Sequence, residues 1–186
     1  ICDVVSLTGI NRAIVAQGLK VMSHWSRPGM AALAAAAGVQ GPASPYHAGF
    51  LLGPRINAGG RVGQSDLGAR LMMTQDPNEA AHIAQTLDAL NAERRAIETE
   101  VLDQAQAQVE ALRLEDDTPI LVASGEHWHP GVIGIVAGRI KERFNRPAIV
   151  IGVDPETGLG KGSGRSCTGV NLGGAVAAAR EDGLLI

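Results

Sequence analysis

The sequence predicts an α/β protein with a mainly helical N-terminal piece, a long connecting helix and a C-terminal α/β domain that contains a βαβ unit. Three observations support this prediction. Alanine-rich segments with helical periodicity fill the first third of the chain, one charged segment then keeps that periodicity for about 38 residues, and two apolar runs of strand length follow it. The predicted boundaries are 1–75 for the first piece, 76–116 for the helix and 117–186 for the last domain.

In the first piece, "NRAIVAQGLKVMS" and "PGMAALAAAAGV" predict short helices, and "SDLGARLMM" predicts a further one. The segment "GPRINAGGRVG" at residues 53–63 is predicted to be a glycine-rich loop. A purely structural loop has no need of two guanidinium groups, and phosphate binding explains both Arg55 and Arg61, which bracket Asn57 and the Gly59–Gly60 pair.

The long helix begins with capping signals. Asp76 suits the N-cap, Pro77 the first helical position and Glu79 the third position of a capping box. A narrow apolar stripe then recurs at three- and four-residue steps, at Ile83, Leu87, Leu90, Ile97 and Val101. A helix this long and polar is predicted to connect two domains. The alternative is a helical hairpin broken near Thr99.

After the helix, "TPILVAS" and "RPAIVIGV" are continuous apolar runs that flank the amphipathic segment "GVIGIVAGRIKERF". Strand, helix and strand at this spacing predict a βαβ unit with two parallel strands.

The composition of the chain bears on the cellular compartment in which the protein works. No apolar run approaches the length that spans a bilayer. Cys2 and Cys167, the only cysteines, are too few for a disulfide framework, so we expect a reducing cytoplasm. The chain begins within the apolar run "ICDVVSL" and ends at "AAAREDGLLI", which indicates a fragment of a longer protein.

The net charge of −3 conceals an uneven distribution. Residues 76–117 carry eleven acidic and three basic side chains, so the rest of the chain has a surplus of five positive charges. Local charge of this kind permits a polyanionic partner such as nucleic acid.

Two segments of the last domain have side chains suited to phosphate. In "GKGSGRS", Gly162 and Gly164 permit close backbone approach while Ser163 and Arg165 supply donors, as an anion-binding loop requires. The alternative is a solvated glycine turn between strands. The spacing does not match a Walker P-loop.

The second segment, "GEHWHPGVIGIVAGRI", places Trp128 and His129 just before a predicted helix N-terminus. Such a terminus attracts anions, and the tryptophan could stack on a base. The alternative is a packing tryptophan flanked by hydrogen-bonding histidines. No acidic or thiol ligand stands at a convincing spacing for zinc. Asp3, within an apolar run, is either a metal ligand, a cap or a salt-bridge partner.

Taken in order, "DVVSL", "LGPRINAGGRVG", "LDALNAERR", "WHPGVIGIVAGRIKERFNRPAIVI" and "KGSGRS" resemble the RecJ family of the DHH phosphoesterase superfamily over nearly the whole chain. The resemblance implies a catalytic DHH domain with two divalent metals, Mn²⁺ or Mg²⁺, joined by a long helix to a DHH-associated domain that grips the strand. Asp3 then matches the last metal-binding aspartate, and Arg61 lies in the motif that binds phosphate near the scissile bond. Ser163 and Arg165, with Gly162 and Gly164, match the family's phosphate-gripping motif.

The resemblance also implies a single-stranded-DNA-specific 5′-to-3′ exonuclease of DNA repair and recombination, a cytoplasmic monomer whose partners include a single-strand-binding protein or a helicase. The DHH triplet and the other metal-binding motifs are absent from this chain, so the two-metal site lies mostly outside it. We therefore expect the chain alone to be inactive. Two alternatives are a phosphodiesterase acting on short oligonucleotides or cyclic dinucleotides, and a non-catalytic nucleic-acid-binding module.

Overall fold

A computed structural model of the chain describes residues 5–111 and 118–186. The chain divides into two compact units, Ile1–Arg94 and Arg95–Ile186, so the division falls within the long helix. Each unit has its own hydrophobic core. Among the described residues, no helix has both the length and the apolar character needed to cross a membrane.

In the part that the structure describes, the regular secondary structure of the first unit is all helical. It contains α1 (Gly9–Met22), α2 (Pro28–Ala36), a π-helical turn (His47–Leu52), α3 (Gly53–Val62), α4 (Leu67–Met73) and the first part of α5 (Pro77–Ala111). The helices predicted from "NRAIVAQGLKVMS", "PGMAALAAAAGV" and "SDLGARLMM" correspond to α1, α2 and α4. The core of this unit is formed by buried aliphatic side chains, the largest being Leu33, Leu52, Leu71, Ile83 and Leu87.

The prediction of a loop at residues 53–63 is wrong, because "GPRINAGGRV" forms helix α3. Two features outweigh the low helix propensity of its glycines. The π-helical turn His47–Leu52 continues directly into α3, so α3 extends a segment that is already helical and needs no new nucleus. Gly59 is buried against α5: a Cβ there would lie 3.2 Å from Leu87 Cδ2 and 2.8 Å from the Gln64 carbonyl oxygen. Glycine at this position lets α3 pack closely.

Helix α5 starts where the capping signals place it. Asp76 Oδ1 accepts the Asn78 N–H at 2.9 Å, as an N-cap does. Glu79 does not complete a capping box. Its carboxylate instead accepts the Thr74 hydroxyl at 2.6 Å and Arg70 Nη2 at 3.3 Å, and these bonds, that from Thr74 first, lower the pKa of Glu79.

Helix α5 is continuous for 35 residues, about 53 Å at 1.5 Å per residue. The alternative of a hairpin broken near Thr99 is wrong, since the helix runs through that residue and the Thr99 hydroxyl donates to the Arg95 carbonyl at 3.0 Å. The predicted extension to residue 114 lies outside the described residues.

The second unit confirms the predicted βαβ motif. Strands β1 (Leu121–Glu126) and β2 (Ala148–Val153) are parallel, and α6 (Pro130–Phe144) connects them. A third strand, β3 (Gly160–Arg165), pairs antiparallel with β2, which gives the order β1-β2-β3. Helix α7 (Leu172–Glu181) follows. The core lies between the sheet, α6 and the end of α5, and includes Val101, Val109, Leu121, Val132, Val136, Ile140 and Val150.

The prediction of a glycine loop at "GKGSGRS" is also wrong, because most of it is strand β3. Glycines have no side chains to pack, so this strand depends for its stability on the backbone hydrogen bonds that it makes with β2. The glycines alternate along β3 and face the isoleucines of β2: a Cβ on Gly162 would lie 3.5 Å from Ile151 Cγ1 and 3.7 Å from Ile149 Cγ2.

At Ser124, the edge of β1 opposite β2 is hydrogen-bonded by a side chain. Gln108 of α5 donates from Nε2 to the Ser124 carbonyl at 2.8 Å and accepts the Ser124 N–H on Oε1 at 3.1 Å. The amide therefore makes the two hydrogen bonds that a neighbouring strand would make.

Candidate nucleic-acid interface

Strand β3 separates its glycines from its donors. Because side chains alternate across a sheet, Lys161, Ser163 and Arg165 share one face, and the three glycines share the other. In the register with β2, Ser163 lies opposite the buried Val150. The donor face is thus the face that α6 covers.

Ser163 and Arg165 lie together beside α6. Arg165 Nη1 is 3.1 Å from Ser163 Oγ and donates to the Gly164 carbonyl at 2.8 Å. A Cβ on Gly134 of α6 would be 2.9 Å from Arg165 Nη2 and 3.0 Å from Ser163 Oγ. No carboxylate among the described residues pairs with this guanidinium. An exposed arginine with neutral partners keeps its charge available to an anion.

The connection from β2 to β3 is fixed by Asp154. Its Oδ1 accepts the N–H of Glu156 at 2.9 Å and that of Thr157 at 3.4 Å. The bond from the Glu156 N–H is the main reason why the pKa of Asp154 is lowered, and the bond from the Thr157 side chain adds to it. A stable carboxylate here holds the turn that delivers β3 to its register.

Trp128 is 4% exposed and belongs to the core of the second unit. Its Nε1 donates to Gln104 Oε1 of α5 at 2.7 Å. A Cβ on Gly125 or on Gly152 would overlap Trp128, so both glycines make room for it. The structure therefore favours the packing alternative over base stacking, since the buried ring offers little surface to a base.

His129 is the N-cap of α6. Its Nδ1 accepts the Gly131 N–H at 3.0 Å, which places the proton of the neutral ring on Nε2. This bond uses one of the amide groups that were expected to attract an anion at the helix N-terminus. The structure supports the hydrogen-bonding alternative for His129.

In the first unit, Asn57 and Arg61 are both exposed and lie four residues apart on α3, so they share a helix face. Arg55 is different. Its side chain is 15% exposed, its Nε pairs with Asp88 Oδ1 at 2.8 Å and its Nη1 donates to the Leu51 carbonyl at 2.8 Å. These contacts favour a structural role over the phosphate contact predicted for Arg55.

The metal prediction depends on Asp3, which lies outside the described residues. Among residues 5–111 and 118–186, no group of three or more His, Cys, Asp or Glu side chains is arranged to hold a metal ion. The described residues therefore do not fit a two-metal site by themselves, and the reasoning below uses no step through a metal.

Three contacts could not be found from sequence patterns. Asp88 and Gln104 lie 33 and 24 residues from their partners Arg55 and Trp128, and the buried Glu98 accepts Arg139 Nε at 2.6 Å across 41 residues. No short-range spacing signals such pairs. For Gly134, the only available signal was a glycine within an amphipathic helix, which is ambiguous without the fold.

This chain is similar in sequence to a known domain and to known exonucleases. A family model described as the DHHA1 domain matches residues 117–183. The single-stranded-DNA-specific exonuclease RecJ of Bacillus subtilis is 43% identical over 173 residues, which are 92% of this chain and 22% of that protein. The Escherichia coli RecJ is 38% identical over 176 residues, 92% of this chain and 30% of its own length.

Solved structures agree. The crystal structure of RecJ from Thermus thermophilus in complex with Mg²⁺ has a TM-score of 0.83 and 34% identity, covering 97% of this chain and 27% of that one. A structure of exonuclease RecJ bound to manganese has a TM-score of 0.80 and 33% identity, with 97% and 43% covered. The chain spans about a quarter of the length of the curated relatives that it matches. Its matched domain, its sequence identity over nearly all its length and its fold together place this chain in the RecJ family.

Proposed function

We propose that this chain is the strand-gripping part of a single-stranded-DNA-specific exonuclease that removes nucleotides from the 5′ end. The observation that carries the proposal is the pair Ser163 and Arg165, held on one face of β3 with neutral partners. A guanidinium and a hydroxyl 3.1 Å apart offer converging donors to a phosphate oxygen.

The position of Ser163 and Arg165 on a paired β-strand fixes where their backbone lies before DNA binds. A loop would have to order its side chains when DNA binds, whereas β3 is already fixed by its ladder with β2. Pre-ordered donors lose less conformational entropy on binding and hold the phosphodiester in register for hydrolysis. We also propose that Asn57 and Arg61, which are exposed on α3 of the first unit, contact DNA.

The chemistry belongs to the complete protein. We propose that it uses two Mn²⁺ or Mg²⁺ ions to activate water and stabilise the departing oxygen. Asp3 would be one ligand, and the others lie outside this chain. Solved RecJ structures with Mg²⁺ and with Mn²⁺ support this choice of ions. We further propose a cytoplasmic role in DNA repair and recombination, as a monomer that works with a single-strand-binding protein or a helicase.

The test uses full-length protein carrying Arg165→Ala or Ser163→Ala. Cleavage of, and affinity for, a 5′-phosphorylated single strand should each fall about tenfold or more for Arg165→Ala, the value of one lost charged hydrogen bond. The slope of log affinity against log salt should fall by about 0.7, one phosphate contact to a single strand. Arg180→Ala, an exposed arginine of α7, is the control of equal charge.

The substrates separate the alternatives. A duplex should be cut poorly and a dinucleotide no faster than a long strand. Preference for the dinucleotide would instead support a small-substrate phosphodiesterase, and binding without cleavage by the intact protein would support a non-catalytic module. Wild-type behaviour of Arg165→Ala would contradict the proposal.

A further inference from the structure

Gly134 lies in α6 at the point where the helix passes the donor face of β3. A Cβ built on it would be 2.9 Å from Arg165 Nη2, 3.0 Å from Ser163 Oγ and 3.7 Å from Arg165 Cζ. The first two distances are shorter than ordinary van der Waals contacts. The guanidinium and the hydroxyl therefore occupy the space that any other residue at this position would fill.

Gly138 provides a comparison within the same helix. It lies one turn after Gly134, and a Cβ there would have no neighbour within 4 Å. Glycine destabilises the interior of a helix relative to alanine. At residue 134, the neighbouring side chains explain why glycine is present despite this destabilisation. They are Ser163 and Arg165, the two side chains proposed to bind phosphate.

We infer that Gly134 is a positioning residue for the phosphate-gripping pair, and that it acts by leaving room for the Arg165 guanidinium against α6. The inference rests on the proposed function of Ser163 and Arg165. Gly134 supplies no donor of its own to the site. It determines where the Arg165 guanidinium lies.

The mechanism predicts a functional defect without a folding defect. A methyl group at residue 134 would lie 2.9 Å from Arg165 Nη2 and 3.0 Å from Ser163 Oγ. The closer of these two atoms is the far end of a flexible side chain, which moves more easily than the helix backbone. Helix α6 stays in place, because its buried side chains Val132, Ile133 and Val136 are held in the core. The Arg165 guanidinium must then leave the position from which it is proposed to contact the DNA.

The experiment compares Gly134→Ala with Gly138→Ala in the full-length protein. Affinity for a 5′-phosphorylated single strand should fall about tenfold for Gly134→Ala, the loss of one charged hydrogen bond. Its salt slope should fall by about 0.7. Gly138→Ala should stay within about twofold of wild type and melt at an equal or higher temperature, because it adds only helix propensity.

The double variant Gly134→Ala with Arg165→Ala tests whether Gly134 affects DNA affinity through Arg165. If Gly134 acts through Arg165, the double variant should bind no more weakly than Arg165→Ala alone. The methyl group should also lower the melting temperature less in the Arg165→Ala background than in wild type, because removal of the guanidinium removes the shorter of its two close contacts. This second readout remains available if Gly134→Ala alone folds poorly.

The outcomes distinguish the inference from the function on which it rests. Wild-type affinity in Gly134→Ala with impaired Arg165→Ala would overturn the inference and leave the proposed function standing. Wild-type affinity in both variants would contradict the proposed function itself. A further loss when Gly134→Ala is added to Arg165→Ala would also overturn the inference, because Gly134 would then act independently.

Discussion

Arg55 Nε of α3 and Asp88 Oδ1 of α5 form an ion pair at 2.8 Å, which joins these two helices within the first unit. The same guanidinium donates to the Leu51 carbonyl, so its hydrogen-bonding capacity is directed inward. Arg61, six residues later in the same helix, is exposed. The two arginines of one motif thus stand in different environments.

We expect Arg55→Ala to lower the free energy of unfolding by about 1–2 kcal/mol, because it leaves Asp88 and the Leu51 carbonyl without this donor. Arg61→Ala should change stability less and affinity for single-stranded DNA more. Urea unfolding and fluorescence anisotropy on both variants measure the contrast. Equal stability loss in the two variants would contradict it.

The paired glycines of α3 give a second prediction. Gly59→Ala should destabilise the protein by about 1–3 kcal/mol, because its methyl group would press on Leu87 and the Gln64 carbonyl. Gly60→Ala is the matched control, since a Cβ there has no neighbour within 4 Å, and it should stabilise by up to about 1 kcal/mol. Thermal unfolding of both variants provides the measurement. A stable Gly59→Ala variant would show that α3 does not need this close contact.

Trp128 is predicted to act through stability. Trp128→Phe removes the donor to Gln104 and should cost about 1–3 kcal/mol, and Trp128→Ala should cost about 3–5 kcal/mol. DNA affinity of the folded fraction should remain near wild type. If Trp128→Phe binds DNA weakly yet unfolds like wild type, base stacking would be the better explanation.

The lowered pKa of Asp154 predicts a pH dependence. A carboxylate whose pKa is lower in the folded state stabilises the fold fully above the pKa of the unfolded chain, about 3.9, and loses that contribution as pH falls through the folded value. Wild type should therefore exceed Asp154→Asn in stability at pH 5–7, and the difference should shrink below about pH 4. Denaturant unfolding at several pH values checks this. A difference that persists unchanged into strong acid would exclude the carboxylate charge as its cause.

The sequence was most informative where structure is decided locally. Hydrophobic periodicity and capping residues predicted α5, and two apolar runs around an amphipathic segment predicted the parallel pair β1 and β2. The glycine content of the two motifs at residues 53–63 and 160–166 predicts loops, whereas the structure has a helix and a strand there. Gly59 lies in a helix that packs closely on Leu87, and Gly162 lies in a strand that pairs with β2. The sequence identifies Arg55 and Trp128 as hydrogen-bond donors. It does not identify their partners Asp88 and Gln104, because these lie 33 and 24 residues away along the chain.

The amide of Gln108 occupies hydrogen-bonding groups at the edge of the sheet. An unprotected edge strand invites a strand from another chain to extend the sheet, which is a common start of aggregation. At Ser124 the available N–H and carbonyl are already engaged by Gln108. An added strand would therefore find no free hydrogen-bonding group at Ser124, and it could pair there only by displacing the Gln108 amide.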